Sequence, residues 1–168
     1  VMNKKHCLLV CLSAFLITGC WPRVDDDILT SMSSEYEPIT LSRTEFENSI
    51  TPSSNLQLTE PGKIYSFFNL ILVNDKHKGF LVYDNTDATS PKVSNYIKIP
   101  GATDLAVRNN VYYVNQATDL VALRFLDNQD IQILKRIRDV FPELQSPDGF
   151  FATNIPEDHV VVGWKLKQ

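Results

Sequence analysis

Most of the chain is written as short apolar runs separated by turn residues. The run from Ile64 to Val73 is rich in Ile, Phe, Tyr, Leu and Val. It is followed by Gly79 to Tyr83, Val93 to Ile99, Leu105 to Val107, Val111 to Val114, Leu120 to Phe125, Ile131 to Ile137 and Val160 to Leu166. Runs of this length with β-branched and aromatic residues predict strands. Asn74-Asp75, Asp84-Asn85, Pro100-Gly101, Asn109-Asn110, Asp127-Asn128 and Pro147-Asp148-Gly149 supply the turns between them. Strands this closely spaced predict a mainly β, antiparallel protein. Upstream, Tyr36 to Leu41 alternates weakly, and Pro38 confines it to a sheet edge. Ser42-Arg43-Thr44-Glu45 is a capping box, so one short N-terminal helix is expected over Arg43 to Ser49, broken by Thr51-Pro52-Ser53-Ser54-Asn55.

The runs repeat. Val73-Asn74 returns as Val114-Asn115, Gly79-Phe80-Leu81-Val82 as Asp119-Leu120-Val121-Ala122, Asp87 as Asp127, and Lys92 to Ile97 as Gln132 to Ile137. A period of about 40 residues with about four strands per unit is that of propeller blades. The expected fold class is therefore mainly β, with antiparallel β-repeats resembling two blades of a partial β-propeller and one short N-terminal helix.

The first residues follow another plan. Lys4 and Lys5 precede an apolar run from Cys7 to Ile17, and Thr18-Gly19-Cys20 follows. A helix needs roughly 20 apolar residues to span a bilayer, so this shorter run reads as a signal peptide. Leu16-Ile17-Thr18-Gly19-Cys20 looks like a bacterial lipobox. That resemblance implies diacylglycerol on the Cys20 sulfur, cleavage between Gly19 and Cys20, and a mature end held by two or three acyl chains, enough for stable anchoring. The expected segments are a signal peptide over 1–19, a lipidated N-terminus with a flexible acidic tether over 20–34, and a β-repeat domain over 35–168. The residue after Cys20 is Trp21, not the Asp associated with retention in the inner membrane, and Asp25-Asp26-Asp27 resembles the surface-export signals of Bacteroidota lipoproteins. The expected location is the cell envelope, at the outer membrane and on its surface.

Composition narrows the chemistry. Of the 168 residues, 43% are hydrophobic and 21% charged, as in a globular domain. The formal charge is −4, and without Lys4 and Lys5 the other 14 basic residues face 20 acidic ones. An acidic domain is a poor binder of nucleic-acid phosphates. All three cysteines, Cys7, Cys11 and Cys20, lie in the first 20 residues, which leaves the rest without a disulfide or a thiol nucleophile. After the leader only His77 and His159 remain, too far apart in sequence for metal-ligand spacing. Asp84-Asn85-Thr86-Asp87 lacks the glycine and distal glutamate of a calcium loop and reads as a turn. No catalytic residue, metal site or cofactor is expected, and the chain is not expected to be an enzyme. The aromatics Phe67, Phe68, Phe80, Tyr83, Tyr96, Tyr112 and Tyr113 are expected in strands, mostly as packing, with Trp164 on the apolar face shared by Val162 and Leu166.

Gly79-Phe80-Leu81-Val82-Tyr83-Asp84-Asn85-Thr86-Asp87, Pro91-Lys92-Val93, Ile97 to Gly101, Asp104-Leu105-Ala106-Val107 and Asp119-Leu120-Val121 together resemble the LVIVD-repeat lipoproteins of Bacteroidota. Gly62-Lys63-Ile64-Tyr65 and Ser42 to Glu47 also match that family's opening segment. The likeness covers about residues 35 to 166 and implies a β-propeller-like lipoprotein. Ala88 stands where the family has Pro, and Arg124 stands opposite Asp84 of the first repeat. A closed propeller needs about four blades. Three readings follow: a short relative, a truncated propeller, or a part that pairs with another chain, self-associating through exposed strand edges. The function expected is binding or scaffolding at the cell envelope, with a protein or glycan ligand. The alternatives are an enzyme or accessory subunit in envelope glycan handling, or a product without a role of its own.

Overall fold

The structure, a computed structural model, describes residues 33–126 and 130–168. The expected signal peptide, Cys20 and most of the expected tether lie outside the described residues. The elements run β1 (Tyr36–Ser42), α1 (Arg43–Glu47), β2 (Thr51–Ser53), β3 (Pro61–Phe67), β4 (Leu70–Asp75), β5 (Gly79–Asp84), β6 (Lys92–Lys98), β7 (Ala102–Arg108), β8 (Val111–Gln116), β9 (Asp119–Phe125), β10 (Ile131–Ile137) and β11 (His159–Leu166). The fold is mainly β, and its pairings are antiparallel.

Two meanders make up most of it. Strands β3 to β6 pair in sequence order, and β2 adds to the far side of β6; strands β7 to β10 form the second sheet. Strands β5 and β9 begin at Gly79 and Asp119, forty residues apart, so the sequence period is also the period of the meanders. Their inner faces share one core. Leu72, Phe80, Val82, Ile97 and Ile99 from the first sheet meet Leu105, Tyr112, Val114, Val121 and Leu123 from the second. Each large side chain so buried contributes about 1.5–3 kcal/mol. Outer strand β10 exposes Ile133, Leu134 and Ile137.

Two local features depart from the reading of the sequence. The apolar run Ile64 to Val73 is two strands, β3 and β4, joined by a tight turn at Phe68 and Asn69. Phe68 has φ +51 and is 92% exposed, so it is neither a strand residue nor packing. Thr51-Pro52-Ser53 is strand β2 rather than only a break; Pro52 is tolerated because β2 is an edge. Gly79 opens β5 with φ +148, where a Cβ would collide with the Ile97 carbonyl oxygen, so only glycine fits between β4 and β6.

The ends of the described region close on each other. Strand β1 pairs with β11, with Pro38 opposite Trp164. The helical turn α1 carries its capping box intact, the Ser42 hydroxyl accepting from the Glu45 N–H and the Ser42 N–H donating to the Glu45 carboxylate. Its Phe46 is fully buried with Ala117, Val160 and Val162. The guanidinium groups of Arg43 and Arg136 lie 5.4 and 5.1 Å from the Phe46 ring centroid. Both donate to the Asp119 carboxylate, which is fully buried, at 2.8 and 2.9 Å. Arg136 also donates to the Gln116 amide oxygen at 2.8 Å, and the Gln116 amide donates to Ser49 Oγ at 3.1 Å. The N-terminal turn is thus fastened to the second meander by a buried ionic cluster.

Candidate functional site

The β4–β5 turn, Lys76-His77-Lys78, stands on a backbone frame. The His77 N–H donates to the Ala102 carbonyl at 3.1 Å, and His77 accepts from Gly101 N–H at 2.9 Å. His77 has φ +58, a left-handed conformation more often left to Gly or Asn. Strand β11 passes close by: an ideal Cβ at Gly163 would lie 3.6 Å from the His77 Cβ. Between this turn, the β2–β3 connection and the β1–β11 ribbon lies a cleft of about 410 Å³. A smaller cavity of about 200 Å³, shared with Lys63, Asn74 and Thr103, also touches Lys76 and His77.

Each wall has its own chemistry. The end of β2 presents Ser53 to the cleft, and the β2–β3 connection presents Asn55, Gln57 and Thr59, every second residue of this stretch. The ribbon presents Ile39, Val162 and Trp164. Trp164 is half-buried, and its indole N–H donates to the Leu144 carbonyl at 3.1 Å. Alternation put Trp164 on one face with Val162, but that face turns to the cleft at Trp164, and Leu166 beyond it is 59% exposed.

The floor holds a buried carboxylate, Asp75. It accepts from Thr59 N–H and Oγ, from Glu60 N–H at 2.7 Å and from Tyr96 Oη at 3.2 Å. Burial alone would raise its pKa, but these donors together hold it below the usual carboxylate value. Burial, helped by the Asp75 charge and hydrogen bond, pushes the Tyr96 hydroxyl well above its ordinary value, so it stays a donor. Burial lowers the His77 pKa; Glu60 opposes this and Lys76 and Lys78 add to it, so the imidazole is neutral at pH 7.

The lysines are not equivalent. Lys76 pairs with Glu60 at 3.1 Å. The Lys78 ammonium donates to the Thr59 hydroxyl at 2.5 Å and has no carboxylate partner among the described residues. The Lys98 ammonium has no ion-pair or hydrogen-bond partner among the described residues.

Of the residues singled out by sequence, His77 lies on the cleft and His159 does not. His159 stands at the start of β11 opposite Ser42, its Nδ1 2.9 Å from the Asp158 carboxylate. Among the described residues no three of His, Cys, Asp and Glu are grouped to hold a metal ion. Asp84 and Asp87 accept from the backbone and hydroxyl of Thr86 and Thr89, a pair of local turns. The polar wall and Lys98 were missed in the sequence, where they read as loop and strand-end residues. The alternation of Ser53, Asn55, Gln57 and Thr59 was the available signal. No family model, curated protein or solved structure matches the chain.

Proposed function

We propose that the chain is a lipid-anchored binding module of the bacterial cell envelope, held at the outer membrane through Cys20, with the cleft beside His77 as its ligand site. The anchor rests on the sequence: a basic start, a short apolar run and the lipobox-like Leu16-Ile17-Thr18-Gly19-Cys20. The site rests on one observation, that two walls of different chemistry face a cleft of about 410 Å³ on a stiff sheet frame. That volume lies in the range of about 300–1,000 Å³ common for small-molecule sites. The two meanders are read as successive propeller-like blades of the LVIVD-repeat kind. Their shared strand order and forty-residue offset support that reading. No catalytic role is assigned to the site, because its buried carboxylate is already occupied by four donors.

The anchor is tested by Cys20→Ser in cells fed labelled palmitate. The parent chain should label and sediment with the outer membrane, and the variant should do neither. A variant that still labels and sediments would overturn the anchor.

A further inference from the structure

We propose that the cleft binds an anionic saccharide, a short sugar chain bearing a carboxylate or sulfate. The inference rests on reading the cleft as the ligand site and assigns that site a ligand class.

Three features select this chemistry. First, the wall from Ser53 to Thr59 offers neutral hydroxyl and amide groups, with the charged residues confined to the floor and rim. The Gln57 amide has no hydrogen-bond partner among the described residues, and Asn55 uses only its oxygen, accepting from the Gln57 N–H at 3.3 Å. Amide groups spaced along one wall suit a ligand with many hydroxyls, each of which donates and accepts. Second, the opposite wall holds an aromatic ring already pinned by its bond to Leu144. The apolar C–H face of a sugar ring packs on such a surface, and a ring fixed in advance costs little ordering on binding. Third, the charges do not cancel locally. Glu60 is taken by Lys76, and Asp75 by its four donors, which leaves Lys78 and Lys98 without acidic partners among the described residues. In a chain of net charge −4, two unpaired ammonium groups at one cleft mark where a ligand anion is met.

The test uses the full-length chain extracted in detergent, with trigalacturonate, a sulfated disaccharide, their neutral counterparts and inorganic phosphate as probes in isothermal titration calorimetry. At least one charged saccharide should bind at least tenfold more tightly than its neutral counterpart and than phosphate. Lys98→Ala should weaken that binding about tenfold, and added salt should weaken it further. Trp164→Ala should abolish binding. Trp164→Phe, which keeps a ring, and the exposed Gln57→Ala serve where Trp164→Ala does not melt like the parent. Failure of every charged saccharide to bind the folded chain, or phosphate binding as tightly as the saccharides, overturns the proposal. Equal binding of charged and neutral sugars, lost with Trp164→Ala but indifferent to Lys98→Ala, overturns the anionic ligand and leaves the cleft as the site. Binding indifferent to Trp164, Gln57 and Lys98 alike overturns the cleft itself.

Discussion

The β4–β5 and β8–β9 hairpin ends occupy corresponding places in the two meanders, and each buries a carboxylate, yet the two are satisfied differently. At the first, Asp75 is held by two backbone N–H groups and two hydroxyls, and no cation among the described residues pairs with it. At the second, Asp119 is clamped by Arg43 and Arg136 and also accepts from the Asp139 N–H at 3.2 Å. The backbone frame is common to both. Gly101 N–H donates to His77 after the first meander, and Val140 N–H donates to Thr118 after the second. The repeat thus preserves the frame and leaves the side chains at its turns free to differ. Neutral donors at Asp75 leave Lys78 and Lys98 without an acidic partner among the described residues, while Lys76 pairs with Glu60. Arginines at Asp119 consume all the charge there and fasten α1 over the turn.

The sharpest way to break this contrast is Asp119→Asn. It leaves Arg136 beside a fully buried position without its carboxylate partner, while Arg43 keeps only Asp139 and Glu47 nearer the surface. Removing one partner of a buried ion cluster costs about 3–5 kcal/mol. Chemical denaturation should show a loss of that size, and the N-terminal turn should lose amide-exchange protection. Asp75→Asn removes an acceptor but strands no cation, so its cost should be smaller, about 1–3 kcal/mol. Equal losses in the two variants would show that the arginines add nothing to the second hairpin beyond ordinary hydrogen bonding.

How far the sequence discloses this contrast depends on distance along the chain. Apart from β3 and β4, which read as one run, the strands of both meanders follow from local apolar runs, and β10 spans Ile131–Ile137 as the pattern predicts. The meander period is legible because Val73-Asn74 and Val114-Asn115 sit at the same register, each Asn opposite the second residue of the following strand. Strand β2 is not legible: three residues with a central proline become a strand only by pairing with β6, more than forty residues on. The Phe68-Asn69 turn is hidden because it carries none of the usual Gly or Pro punctuation and both flanking strands are apolar. The Asp119 cluster joins Arg43 to a residue 76 positions away, and alone each member looks like an ordinary surface charge. The cleft is hidden for the same reason, since Gln57, Lys98 and Trp164 meet only after the ribbon has closed.

The smallest expected effect comes from pH, and it separates the hairpins once more. Asp75 and Asp119 both titrate below the ordinary carboxylate value of about 3.9, because donor bonds outweigh the opposing effect of burial. Their contribution is complete above that value and is lost as the pH falls through their lower folded pKa values. His77 belongs to the first hairpin alone. Burial depresses its pKa below 6.5, so the unfolded chain takes up its proton first and stability declines as the pH falls from about 6.5 toward the folded pKa. Urea midpoints at about pH 7, about pH 5 and about pH 3 should therefore show a shallow upper step and a steeper acid step. His77→Asn should erase the upper step and keep the lower one. Asn accepts the left-handed backbone at this position, and the bonds to Gly101 and Ala102 are made by the main chain. An upper step that persists in His77→Asn would place its origin outside the β4–β5 turn and remove this distinction between the hairpins.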